Sequence, residues 1–101
     1  MVRSMFTPAF SELVHTVVTL RKQAGLTQRQ LAAAVGREQN YIGRIETGQR
    51  RVDLVELIQI CRACGAEPKG EVTKLAGRIA ALLPAKRTAS VRPRPRGRPR
   101  R

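Results

Sequence analysis

The stretch Thr27 to Gly48, TQRQLAAAVGREQNYIGRIETG, decides how this chain folds. It reads as two short helices joined by a tight turn. Thr27 can cap a helix running from Gln28 to Val35, with Leu31, Ala32 and Val35 turned inward. Gly36 ends that helix, because glycine enters the left-handed backbone region without the penalty a Cβ brings. A second short helix then spans Gln39 to Thr47 and closes at Gly48. Ala32 is small enough to let the two helices cross closely, and Ile42 and Ile45 pin the later helix onto the earlier one. At about 100° per residue, Tyr41, Ile42 and Ile45 occupy one side of it, while Gln39, Asn40, Gly43 and Arg44 fill the opposite arc. That arc is polar, and its residue types suit base edges: glutamine and asparagine can pair with adenine at two points, and arginine with guanine. Gly43 costs about 1 kcal/mol of helix stability relative to alanine. On an outward face that cost makes sense if something must approach the backbone there.

Helical signals continue on both sides of this stretch. Thr7 and Pro8 form an N-cap and first-turn pair, after which Phe10, Leu13, Val14, Val17, Val18 and Leu20 lie on one broad face as far as Gly25. Asp53 with Glu56 three residues later opens a fourth helix that reaches Cys64 and stops at Gly65. Beyond Pro68 and Gly70, the spacing of Val72, Leu75, Ala76, Ile79, Leu82 and Leu83 marks a fifth. From Pro84 onward prolines and charges exclude packing. The reading is all-α: a flexible N-terminus over 1–7, a five-helix domain over 8–84 and a disordered Arg/Pro-rich tail over 85–101.

With 101 residues the chain forms one small domain, too small for an elaborate catalytic cleft. Its formal charge is +13, and residues 86–101 hold eight basic residues and no acid, which leaves +5 on the remainder. Such a balance calls for a polyanionic partner. Nucleic acid is favoured over a membrane, since no apolar run approaches the roughly 18 residues of a span. The start, MVRSMFTPAF, lacks the continuous apolar stretch of a signal peptide, so the expected location is the cytoplasm, on the nucleoid.

Cys61 and Cys64 form a CxxC that is open to a redox or zinc reading, but no second CxxC follows and both sulfurs continue the apolar stripe of Leu54, Leu57 and Ile58. They read as buried small hydrophobes. His15, the one histidine, reads as a surface residue. No catalytic residue, cofactor or metal site is indicated, and the chain does not read as an enzyme.

Positions 13–83 resemble the Cro/phage-repressor (XRE) family of helix-turn-helix DNA-binding domains through LRKQAGLTQRQLA, VG, YIGRIETGQRR and LVELIQICRACG, in that order and spacing. The resemblance implies a compact five-helix, lambda-repressor-like helix-turn-helix domain. Its partner is double-stranded DNA, its third helix enters the major groove, and it binds an inverted repeat as a homodimer. Gln28 then holds a phosphate and braces the recognition helix, while Gln39, Asn40, Gly43 and Arg44 form its base-reading face. Gln49, Arg50 and Arg51 lie along the backbone, with Arg37 also assigned to phosphate. Arg21 and Glu46 match a structural salt bridge, and the end of the fifth helix, Ile79, Leu82 and Leu83, matches a dimer interface. Two positions depart from the pattern: Glu38 stands where a capping Ser or Thr is usual, and Arg37 where an apolar residue is common.

The tail contains PRGRP at residues 95–99, similar to the core of an AT-hook. In that reading Arg94, Arg96, Gly97 and Arg98 follow an A·T minor groove, whose narrow walls attract arginine. The other reading is a polybasic arm that neutralises phosphates. For the whole chain, a sequence-specific transcriptional regulator stands beside two alternatives: an antitoxin-type autoregulator and an architectural protein of A·T-rich DNA.

Overall fold

A computed structural model describes residues 6–84. Residues 1–5 and the tail assigned to 85–101, with Arg94, Arg96, Gly97 and Arg98, lie outside the described residues. Five helices follow in order: α1 Pro8–Gln23, α2 Gln28–Ala34, α3 Tyr41–Glu46, α4 Leu54–Ala63 and α5 Pro68–Leu82. There is no strand among the described residues.

The helix starts are set by short polar side chains that accept the first free backbone N–H groups. Thr7 Oγ1 accepts from Phe10 N at 3.1 Å, so Thr7, at the edge of the segment read as flexible, is tied to α1. Thr27 and Gln30 form a reciprocal capping box on α2, and Asp53 and Glu56 form another on α4. Gly25, Gly36, Gly48 and Gly65 end the first four helices at positive φ. At Gly36 this backbone lets Arg37 N reach back to Ala32 O at 2.9 Å, closing α2 and turning the chain towards α3.

Two helix starts differ from the sequence reading, while α2, α3 and α4 each end one residue earlier than read, with Val35, Thr47 and Cys64 as their C-caps. The third helix begins at Tyr41 rather than Gln39. Asn40, its N-cap, sits at φ −96°, ψ 6°, away from the extended conformation in which a cap side chain reaches forward, and makes no cap hydrogen bond. The fifth helix begins at Pro68, upstream of Gly70, because the Glu67 carboxylate accepts from Lys69 N and Gly70 N.

The core is one cluster in which every helix takes part: Val17 and Leu20 from α1, Leu31 and Ala32 from α2, Tyr41, Ile42 and Ile45 from α3, Leu57, Ile60 and Cys61 from α4, and Leu75 from α5. Fully burying each of the valine, leucine and isoleucine side chains among them contributes roughly 1.5–3 kcal/mol. Leu54, read as part of the α4 stripe, is instead 58% exposed beside Val55 at 65%. At the first turn of α4 these two residues project beyond the packed body. The long α1 and α5 are joined by a polar clasp: Arg78 donates to Glu12 Oε1 and to the buried Thr16 Oγ1, both at 3.0 Å.

Candidate nucleic-acid interface

α3 is held by its apolar side. Tyr41, Ile42 and Ile45 are essentially inaccessible, which leaves Gly43, Arg44 and Thr47 to face away from the body. Gln28, Arg29, Gln39, Asn40, Gly43, Arg44, Thr47 and Gln49 together line one shallow, open groove across α2 and α3. Every base-reading residue expected from the sequence is on it, as are Gln28 and Gln49. Arg29 and Thr47 were not anticipated. Nothing in the local pattern distinguishes Arg29 from any solvated basic residue, and only the crossing of the helices brings it to Gln39.

Behind the groove a partly buried polar chain ties α3 to α1 and α2. Arg21 donates from Nε to Glu46 Oε2 at 2.8 Å and from Nη2 to Oε1 at 3.1 Å, and its Nη1 reaches Leu26 O at 3.0 Å. The pair is largely withdrawn from water, with 13% and 9% of the two side chains exposed. Gln28 Nε2 adds a bond of 2.8 Å to Glu46 Oε1. A carboxylate only accepts, so the Gln28 amide must present nitrogen to it. Its oxygen then lies over Gly43, where an added Cβ would stand 3.2 Å away. The group that approaches the Gly43 backbone is therefore Gln28.

Arg37 and Arg50, assigned to phosphate, occupy a different environment from the groove. Their guanidinium carbons lie 4.3 and 4.8 Å from the centre of the Tyr41 ring. Both also bond to the Glu56 carboxylate of α4. Burial, reinforced by Glu56, raises the Tyr41 phenol above its ordinary value, against the opposing pull of the two arginines. Arg51 is exposed, and its carbonyl accepts from Arg50 Nη1 at 2.7 Å.

The proposed dimer residues divide. Ile79 is half-buried against the core, whereas Leu82 and Leu83 are exposed at 46% and 54%. Ile79 also lines an apolar groove with Leu13, Val52, Leu54, Leu57 and Val72. The exposure of Leu54 was missed from the sequence because an apolar α4 stripe looks the same whether it faces a core or water.

Among the described residues there is no group of three or more metal-ligating side chains, and no helix is long and apolar enough to cross a membrane. Cys61 is buried and Cys64 half-buried, both as free thiols, and burial pushes both up from their ordinary values. His15 is exposed.

A family profile described as "Helix-turn-helix domain" matches residues 12–75. No curated protein sequence matches the chain. Among solved structures, an XRE-family like protein from Pseudomonas syringae pv. tomato is 33% identical, with 75% of this chain and 88% of that one covered and a TM-score of 0.64. The clp gene regulator ClgR from C. glutamicum is 26% identical over 72% of this chain and 94% of its own, with a TM-score of 0.60. The restriction-modification controller protein C.AhdI from Aeromonas hydrophila is 31% identical over 64% and 98%, with a TM-score of 0.58. With the family profile covering more than half of the sequence and the arrangement of α2 and α3 just described, the chain belongs to the XRE-type family of helix-turn-helix proteins.

Proposed function

We propose that the protein is a sequence-specific DNA-binding transcriptional regulator that presents the α2–α3 groove to the major groove of double-stranded DNA. The observation that carries this reading is the groove itself: eight residues, none acidic, that offer amides, guanidiniums and a hydroxyl from a face whose reverse side is locked into the core. Such groups match base edges and phosphates, and a rigid support keeps them in register. The similarity to proteins named as a gene regulator and a restriction-modification controller points the same way. A protein of this kind acts on the nucleoid, in the cytoplasm.

In this reading Asn40, Arg44 and Gln39 face bases, with Gly43 leaving room for Gln28. Gln28 keeps one amide N–H for a phosphate while the other holds Glu46. Gln49 and Arg51 follow the backbone. Arg37 and Arg50 serve first as braces on Tyr41 and Glu56, and the exposed third or so of each side chain, 32% and 30%, meets phosphate from the flank. A homodimer forms through the apolar residues Leu54, Ile79, Leu82 and Leu83 of α4 and α5, placing two such faces on half-sites about 10 base pairs apart.

The test is selection of bound sites from random DNA, followed by variants. Arg44→Ala should cost about 1–3 kcal/mol on the selected site and flatten the preference at one base pair, whereas Arg51→Ala should weaken all DNA uniformly. Leu54→Ser should weaken the paired site far more than a single half-site. No enriched sequence at all would overturn the reading.

A further inference from the structure

Two glutamines stand at the base-facing edge of the helix-turn-helix, and charged neighbours hold their amides in opposite senses. Gln28 turns its nitrogen inward to Glu46. Gln39 does the reverse: Arg29 Nε and Nη2 both donate to its Oε1, at 3.1 and 2.9 Å. A guanidinium has only donors, so the Gln39 oxygen must face Arg29, which leaves both amide hydrogens for whatever enters the groove. Two charge-assisted bonds to one oxygen hold this orientation more firmly than a neutral contact does. Among the described residues no carboxylate pairs with Arg29 to draw it away. Both side chains are exposed and line the groove with Asn40 and Arg44.

The consequence is chemical. A free glutamine offers an acceptor and a donor side by side, which fits adenine's N6 amino group and N7. With its acceptor engaged, Gln39 joins the remaining Arg29 N–H groups in a surface of donors only. Guanine presents two acceptors there, O6 and N7, and adenine sets an amino group against donors. We infer that Arg29 is a specificity-determining positioning residue, which holds Gln39 as a donor-only reader so that the base facing it is guanine and not adenine. This rests on the DNA-reading function proposed above.

The experiment selects sites from random DNA with the full chain as wild type, Arg29→Ala, Arg29→Met and Gln39→Ala, then measures affinities for the selected site and its single-base variants. Because Arg29 and Gln39 are exposed, unchanged thermal unfolding checks that each variant is folded. The wild type should select guanine at one position, favouring it over adenine by roughly tenfold, within the range of a bidentate contact. Gln39→Ala should remove the preference at that position only. Arg29→Ala and Arg29→Met should turn it to adenine while the remainder of the site keeps its sequence, a change of base identity that a merely structural role does not produce. Adenine preferred by the wild type, or guanine retained in both Arg29 variants with uniformly weaker binding, overturns the inference and leaves the DNA-reading function standing. Failure of the wild type to select any site overturns both.

Discussion

Glu56 receives the Arg50 guanidinium as a fork, Nη1 to Oε1 at 3.0 Å and Nη2 to Oε2 at 2.8 Å, while Arg37 Nη1 adds a third bond of 3.0 Å to Oε2. Arg37 precedes α3 and Arg50 follows it, so a single carboxylate on α4 ties both flanks of α3 to the body. The Arg50 hydrogen bonds are the main reason that the carboxyl falls to about 2; the Asp53 N–H and Arg37 assist, against the effect of burial.

This arrangement predicts an acid-sensitive fold. The folded pKa of Glu56 lies below its ordinary 4.5, so its stabilisation is fully present above pH 4.5 and is lost as the pH falls towards about 2. Urea unfolding from pH 6 down to pH 2 should show wild type losing up to about 3 kcal/mol to this group. Glu56→Gln should start less stable and lose less across the same window, with the two curves converging near its lower end.

Removal of the Glu46 carboxylate should cost more than any exposed ion pair. Glu46→Ala strands the largely buried Arg21 and the Gln28 amide together, for a loss of about 3 kcal/mol by chemical denaturation. Arg21→Lys should not restore wild-type stability, since an ammonium cannot make the fork to Glu46 and also reach Leu26 O with the same planar geometry.

Glycine substitutions should change stability in opposite directions. Gly48 has φ +76°, and a Cβ there would run into the Phe6 ring, so Gly48→Ala should destabilise by about 1–2 kcal/mol or more. Gly77 sits within α5 with nothing within 4 Å of an added Cβ, and Gly77→Ala should stabilise by about 0.5–1 kcal/mol. Thermal melts of the two variants compare them directly.

For the tail, deletion of residues 86–101 should weaken DNA binding and make its logarithmic salt dependence shallower, since up to eight cations no longer displace counterions. Moving Gly97 to the tail's end keeps the charge and breaks the Arg-Gly-Arg centre. A hook loses affinity on A·T-flanked sites and little on G·C-flanked ones, whereas a simple basic arm is indifferent to the move.

The helices and their order were legible because their signals are local. Thr7, Thr27 and Asp53 bond to N–H groups three residues ahead, and a glycine just past a helix end closes it through its own backbone, so each signal and its effect sit within one turn of chain. The same holds for the inward faces of α2 and α3, where a helical period alone separates Leu31, Ile42 and Ile45 from Arg44. Gln39 fell outside this logic. It precedes α3, so no helical angle governs it, and its orientation comes from Arg29, ten residues away.

The sequence by itself thus determined where the chain turns helical, which apolar residues converge and which stretch carries the polar face. Only the tertiary structure decided what the charged and amide side chains do: Arg37 and Arg50 on Tyr41 and Glu56, Arg78 on Glu12, Gln28 over Gly43, Gln39 against Arg29, and Leu54 outward rather than in the core. The physical reason is that an apolar side chain is driven inward by water whichever neighbours it meets there, and a periodic pattern suffices to place it. A long polar side chain has many solvated conformations of similar energy until a complementary charge comes within about 3 Å, and the crossing of helices distant in sequence supplies that charge.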